Sequence, residues 1–147
     1  MKLILIVEDD RKIALAMAVR LKANGYEVIM ALDAMAGVEM AVKHHPDLVI
    51  LDISLPAGSG FDVAEKIRNL APTVGTPLIF MTASRKPGLV TRASELGAVA
   101  FIRKPFKDGE LLSDVRHALG EVPTVPDPAE SLTPVNPTSG TTTQEKP

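Results

Sequence analysis

Leu48-Val49-Ile50-Leu51-Asp52 is a run of four aliphatic residues closed by a carboxylate, and its continuation, Ile53-Ser54-Leu55-Pro56-Ala57-Gly58-Ser59-Gly60, is rich in turn formers. A strand with one wet face alternates apolar and polar residues. An unbroken apolar run of this length instead fits a strand covered by helices on both faces. Leu3-Ile4-Leu5-Ile6-Val7 reads the same way and ends at Glu8-Asp9-Asp10. Tyr26 to Ala31, Leu78 to Met81 and Val99 to Ile102 complete five strands. Helix-length segments separate them: Arg11 to Asn24, Ala34 to His44, Phe61 to Leu70 and Pro87 to Leu96, with Asp108 to Leu119 last. Gly25, Gly97 and Gly120 fall just past helix ends, Asp33 and Asp108 are placed as N-caps, and Pro87 suits a first helical turn. Strict strand–helix alternation with short connections predicts an α/β fold: right-handed crossovers, a parallel five-stranded sheet and helices on both sides. Chemistry in such sheets gathers at the C-terminal ends of the strands.

The whole chain, at 147 residues, amounts to one domain, since single cores saturate at roughly 100 to 200 residues. A multidomain enzyme is excluded. With 46% hydrophobic and 23% charged residues and a net charge of −2, there is material for a core but no basic excess to capture nucleic acid or an anionic membrane. The absence of cysteine excludes a disulfide scaffold, a thiol nucleophile and a cysteine-ligated metal. The apolar run at Leu3–Val7 is too short for an export signal, and no stretch approaches the roughly 20 apolar residues of a membrane span. A cytoplasmic location is expected. Composition changes after Gly120: residues 121–147 hold six prolines, six threonines and no aromatic residue. Such a segment cannot bury enough apolar surface to offset its ordering entropy, so residues 1–120 are expected to fold and 121–147 to form a disordered Pro/Thr-rich tail or linker.

At the strand ends stand Glu8, Asp9 and Asp10 after the first, Asp52 after the third, Thr82 after the fourth, and Lys104-Pro105 after the fifth. Two carboxylates about 4 Å apart repel by roughly 4 kcal/mol at an effective dielectric near 20. A hard cation relieves that cost, and Mg²⁺ is satisfied by one or two carboxylates with waters and phosphate oxygens. The plain alternative is that Glu8, Asp9 and Asp10 only cap the following helix. Asp52, at a strand-to-loop transition, can act as a nucleophile toward phosphorus, giving an acyl phosphate once a metal and a fixed cation neutralise the phosphoryl oxygens. Lys104 would supply that cation and Thr82 a hydroxyl donor.

In order and spacing, Glu8-Asp9, Asp52, Thr82 and Lys104-Pro105 resemble the receiver domain of two-component response regulators over residues 1 to about 120. The strings Ile6-Val7-Glu8-Asp9-Asp10, Leu51-Asp52-Ile53-Ser54-Leu55-Pro56, Met81-Thr82-Ala83 and Lys104-Pro105-Phe106 carry the resemblance. It implies a flavodoxin-like three-layer sandwich with strand order 2-1-3-4-5, the order for which a member of this family is a standard example. It also implies that Asp52 is the phosphoacceptor, with Mg²⁺ held by Glu8, Asp9, Asp52 and the backbone carbonyl of Ser54. The phosphoryl oxygens would meet Thr82, Ala83 and Lys104, with a cis bond between Lys104 and Pro105. Gly60 matches the family's loop glycine, and Phe101 the aromatic position that responds when Thr82 moves toward the phosphate. Ser54 and Ser84 would border the path of attacking water, and Asp10 is left to helix capping.

The partners implied are a sensor histidine kinase or histidine phosphotransfer protein and a downstream protein target. That target would meet the face formed by the fourth helix, the fifth sheet strand and the fifth helix. Neither nucleic acid nor membrane is expected as a direct partner, because residues 121–147 offer no core for a helix-turn-helix module. A fragment of a longer regulator would read identically. His44, His45 and His117 are read as structural or solvated. Three rival readings meet obstacles in the same residues. A dehalogenase-type aspartyl phosphatase needs a second Asp where Ser54 stands; a flavodoxin would have its phosphate repelled by Glu8-Asp9-Asp10; a phosphorylation-independent scaffold has no use for the acids, Thr82 and Lys104. Beyond its own phosphorylation and dephosphorylation, no enzyme activity is expected.

Overall fold

The computed structural model describes residues 1–121; the tail expected after Gly120 lies, apart from Glu121, outside the described residues. In chain order the elements are β1 (Leu3–Val7), α1 (Arg11–Ala23), β2 (Glu27–Ala31), α2 (Ala34–His44), β3 (Leu48–Asp52), β4 (Ser54–Leu55), β5 (Gly58–Ser59), α3 (Gly60–Asn69), β6 (Leu78–Thr82), α4 (Leu89–Glu95), β7 (Ala100–Arg103) and α5 (Asp108–Ala118). The five apolar runs pair in one parallel sheet of order β2-β1-β3-β6-β7, which is 2-1-3-4-5 when only the sheet strands are counted. The fold is the flavodoxin-like α/β sandwich.

Side chains alternate across a strand, so each apolar run feeds two cores at once. Ile4, Ile6, Leu48, Ile50, Ile79 and Met81 meet α1 and α5 through Ala14, Met17, Leu21, Leu111 and Val115. Leu5, Val7, Val49, Leu51 and Phe80 meet α2, α3 and α4 through Ala41, Val63, Ile67 and Ala93. The central strands β1, β3 and β6 are buried along almost their whole length for this reason. Small residues set the helix distances. A Cβ on Gly37 would stand 3.0 Å from the Val7 methyls, so α2 sits close on β1 because that position is glycine.

The caps follow the sequence in part. Asp10 accepts hydrogen bonds from Lys12 N–H and Ile13 N–H at 2.9 and 3.3 Å, and Asp33 accepts one from Ala36 N–H at 2.8 Å. Asp108 is not an N-cap: Lys107 holds that position, its N–H donating to Glu110 at 2.9 Å, and Asp108 opens the helix where its charge meets the positive helix end. Nor does Pro87 lie in a first helical turn. Gly88, at φ +86°, is the cap residue, and that left-handed backbone delays α4 to Leu89. Residues 53–60 are not loop throughout: β4 and β5 form an antiparallel hairpin there, with Ser54 opposite Ser59. Ala57 in its turn has φ +56°.

Glu121 does not behave as the first residue of a free tail. Its N–H donates to the Arg116 carbonyl at 2.8 Å, and its carboxylate accepts the Tyr26 hydroxyl at 2.6 Å. Among the described residues no helix is long and apolar enough to cross a membrane.

Candidate functional site

One extra backbone hydrogen bond beyond each ladder fixes the residues at the C-terminal edge of the sheet. Glu8 N–H donates to Ala31 at 3.0 Å, Ile53 N–H to Met81 at 3.0 Å, and Lys104 N–H to Thr82 at 2.9 Å. The side chains of Glu8, Asp52 and Lys104 are thereby delivered from three different strands onto one spot. Carboxylate oxygens of Glu8, Asp9 and Asp52 lie within 4.8 Å of one another. Glu8 and Asp52 are buried and Asp9 is exposed, so the cluster opens to solvent on one side.

Asp52 is held at both oxygens. Oδ1 accepts from the Ser54 N–H at 3.0 Å, and Oδ2 accepts from Lys104 Nζ at 2.7 Å. Lys104 Nζ also donates to Glu8 Oε1, and Glu8 Oε2 accepts from the Asp10 N–H at 3.1 Å. The Glu8 carboxyl is raised to about 7, first by burial and also by Asp52, against the lowering pull of the Lys104 ammonium and the Asp10 N–H. Burial alone would lower Lys104, but Asp52 and Glu8 outweigh it and its pKa stands above the ordinary lysine value. The ammonium is thus shared between two acids and stays charged.

Helix α3 approaches the same spot through Gly60. A Cβ there would lie 2.3 Å from the Asp52 carbonyl oxygen, so only glycine lets the helix start against the backbone that carries the acid. A Ser59–Asp62 capping box begins that helix, and Gly60 N–H donates to the Ile53 carbonyl at 2.9 Å. These contacts fix the direction of the Asp52 backbone.

Thr82 is fully buried at the end of β6, and its hydroxyl accepts the Ser84 N–H at 3.0 Å. Ala83 follows it, exposed, and lines with Lys104, Pro105, Ile13 and Met17 a cavity beside the site. The Lys104–Pro105 peptide bond is cis. Phe101 is half-buried on β7, opposite Phe80, with the Arg103 guanidinium 5.3 Å from its ring centre. Ser54 is exposed on the hairpin and Ser84 half-buried in the loop after Thr82. Asp10 serves the α1 cap rather than the cluster. His44 and His45 lie at the end of α2, and His45 caps it at φ +48°.

The donor set suits Mg²⁺, because it is made of hard carboxylate oxygens, is partly open to water, and has one fixed cation bonded to two of its three acids, so that negative charge is left over for a divalent ion. Sequence reasoning missed Arg68 and Arg103. Arg68 donates from Nε to Leu96 at 2.9 Å and from Nη1 to Val74 and Thr76 at 3.0 and 2.6 Å, tying α3 to the end of α4 and to the approach to β6. Arg103 had one signal: it lies two residues from Phe101, hence on the same face of a strand.

The chain matches the family model described as response regulator receiver domain over residues 4–116. It is similar to the transcriptional regulatory protein PdtaR of Mycobacterium tuberculosis, 37% identical over 117 residues that cover 79% of this chain and 56% of that protein. Among solved structures it is similar to the CheY-like receiver domain protein of Methanospirillum hungatei, at 32% identity and a TM-score of 0.77, covering 82% of this chain and 94% of that one. It is also similar to the receiver domain of the sensor histidine kinase PA1611 of Pseudomonas aeruginosa, described with a magnesium ion in its active-site cleft, at 27% identity and a TM-score of 0.75 over 82% of this chain and 98% of that one. The chain spans about half the length of the curated relatives it matches.

Proposed function

The chain belongs to the response regulator receiver domain family, and from that membership we propose that Asp52 accepts a phosphoryl group from a sensor histidine kinase or a histidine phosphotransfer protein in a Mg²⁺-dependent reaction. The supporting observation is the pairing of Asp52 with Lys104 at 2.7 Å inside a carboxylate cluster. An Asp52 carboxylate oxygen attacks phosphorus, the phosphorus–nitrogen bond to the donor imidazole breaks, and the imidazole leaves with its electron pair and takes up a proton. The Ser54 N–H and the Gly60 contact hold the Asp52 carboxylate and backbone in one orientation, which spares the reaction an entropic cost. As the phosphoryl group arrives, Lys104 meets its oxygens with a charge already in place. The Thr82 hydroxyl turns from Ser84 to donate to a phosphoryl oxygen, and the Ala83 N–H donates to another. Glu8, Asp9, Asp52 and the Ser54 carbonyl would hold Mg²⁺, which would supply the remaining neutralisation of the phosphoryl charge.

Phe101 would respond to the movement of Thr82, and the α4–β7–α5 face would present the change to a downstream protein. The domain catalyses only its own phosphorylation and dephosphorylation. Ser54 and Ser84 border the path of water to the acyl phosphate, and neither carries a carboxylate or amide to orient it. The phosphoryl lifetime is accordingly minutes to hours. The location proposed is the cytoplasm, where kinase and target meet it. Gene regulation is named for PdtaR and belongs to that protein; for this chain the proposed output is protein contact.

Acetyl phosphate with Mg²⁺ tests the reading directly. Mass spectrometry is expected to show one added phosphoryl group, lost in Asp52→Asn. Undiminished modification of that variant would move the acceptor elsewhere, and no modification of the parent would favour a scaffold that works without phosphate.

A further inference from the structure

Thr82, Ser84, Arg103 and Phe101 form one continuous chain of contacts. The Thr82 hydroxyl accepts the Ser84 N–H at 3.0 Å, the Ser84 carbonyl accepts Arg103 Nη1 at 2.9 Å, and the Arg103 guanidinium lies 5.3 Å from the centre of the Phe101 ring. The sheet provides the frame. Thr82 pairs with Arg103 and Phe80 with Phe101 between β6 and β7, so Phe101 and Arg103 share the face that looks toward α4. β7 is the edge strand, and beyond it Phe101 has no further strand to cover it. Arg103, itself exposed, reaches from that edge to the loop after Thr82 and lies over the ring on the way.

We propose that Arg103 is a positioning residue for the phosphorylation switch, locking Thr82 and Phe101 into one shared arrangement that must be released together. The proposal rests on the reading of Asp52 as phosphoacceptor and of Thr82 as a phosphoryl ligand. While Thr82 accepts from Ser84, the loop backbone is held to the hydroxyl on one side of residue 84 and to Arg103 on the other. For Thr82 to turn toward Asp52, the Ser84 N–H must give up its acceptor and the loop must shift. A shift of the Ser84 carbonyl draws the guanidinium with it, because a planar fork keeps its hydrogen-bond direction better than a flexible ammonium would. The ring beneath then loses its cover and becomes free to reorient. Arg103 thus opposes the movement of Thr82 and makes it conditional on Phe101.

The test uses the full chain with fluorinated phenylalanine at its four Phe positions, the Phe101 resonance being identified from Phe101→Leu. In Arg103→Ala without phosphodonor, the Phe101 fluorine resonance is expected to move toward the position it takes in the parent after acetyl phosphate and Mg²⁺. Modification of Asp52 by acetyl phosphate is expected to be about two- to fivefold faster, the range that an exposed cation–π contact supports. In Phe101→Leu the same Arg103→Ala change is expected to give no acceleration, an interdependence that mere loosening of the loop would not produce. The proposal is overturned if the parent is modified while Arg103→Ala keeps the parental resonance and rate. It is equally overturned if the acceleration persists undiminished without Phe101. A parent that acetyl phosphate leaves unmodified overturns the phosphoacceptor reading beneath it, and that failure is visible in the parent's mass spectrum alone.

Discussion

Glu8 is the residue whose charge the fold makes most expensive, since it is 1% exposed and stands beside a second buried acid. Its carboxyl is pushed from 4.5 up to about 7, first by burial. The folded chain therefore binds this proton more tightly than the unfolded chain does. The sign follows from linkage: Glu8 contributes stability that is full below about pH 4.5 and is lost as pH rises through about 7. In metal-free protein the melting temperature is expected to fall between pH 5 and pH 8, a range chosen to bracket that transition. Glu8→Gln should flatten the fall, because the amide has no proton to lose. Mg²⁺ favours the carboxylate, which brings the folded value back toward that of the unfolded chain and should shrink the fall. Melting curves with and without the metal check all three, and a Glu8→Gln profile as steep as the parent's would assign the pH dependence to another group.

At the scale of elements, the β4–β5 hairpin carries a strained residue close to the site. Pro56 presets the first turn position, and Ala57 follows at φ +56°, where a tight turn favours glycine. Ala57→Gly is expected to raise stability by about 0.5 to 1 kcal/mol, the relief of the left-handed backbone being partly offset by a freer unfolded chain. Denaturant titration measures it; a loss of stability would mean that the alanine methyl packs better than its backbone suffers. The hairpin also shows where sequence reading stops. Runs such as Leu48–Leu51 announce strands because both faces are buried, and Asp52, Thr82 and Lys104 could be placed because strand ends converge by topology. Two-residue strands carry no periodicity, so Ser54–Leu55 gave no signal. Gly88 and Lys107 shift helix starts through backbone angles that composition does not encode. Arg68 and the Ser84 contact of Arg103 stayed hidden for a different reason: the acceptors are backbone carbonyls, which every residue has, so no residue type marks them in the sequence.

At the scale of the whole molecule, the Tyr26–Glu121 contact joins residues 95 positions apart and closes the pole opposite the acidic cluster. Tyr26 is 7% exposed, so its hydroxyl depends on this acceptor. Glu121→Ala in the full chain is expected to cost about 1 to 3 kcal/mol, the penalty of leaving a buried donor unpaired. Tyr26→Phe, which removes donor and need together, should cost less. Equal losses in the two variants would show that water replaces the carboxylate. The same long reach marks the acidic edge, where Lys104 bonds Asp52 and Glu8 across 52 and 96 positions. That separation has a consequence during synthesis. The three carboxylates leave the ribosome before the ammonium that bonds two of them, and an N-terminal portion that stops short of β7 lacks Lys104 beside Asp52. If Asp52 is the phosphoacceptor proposed above, a nascent receiver lacks the ammonium that readies it until the last strand of the sheet docks.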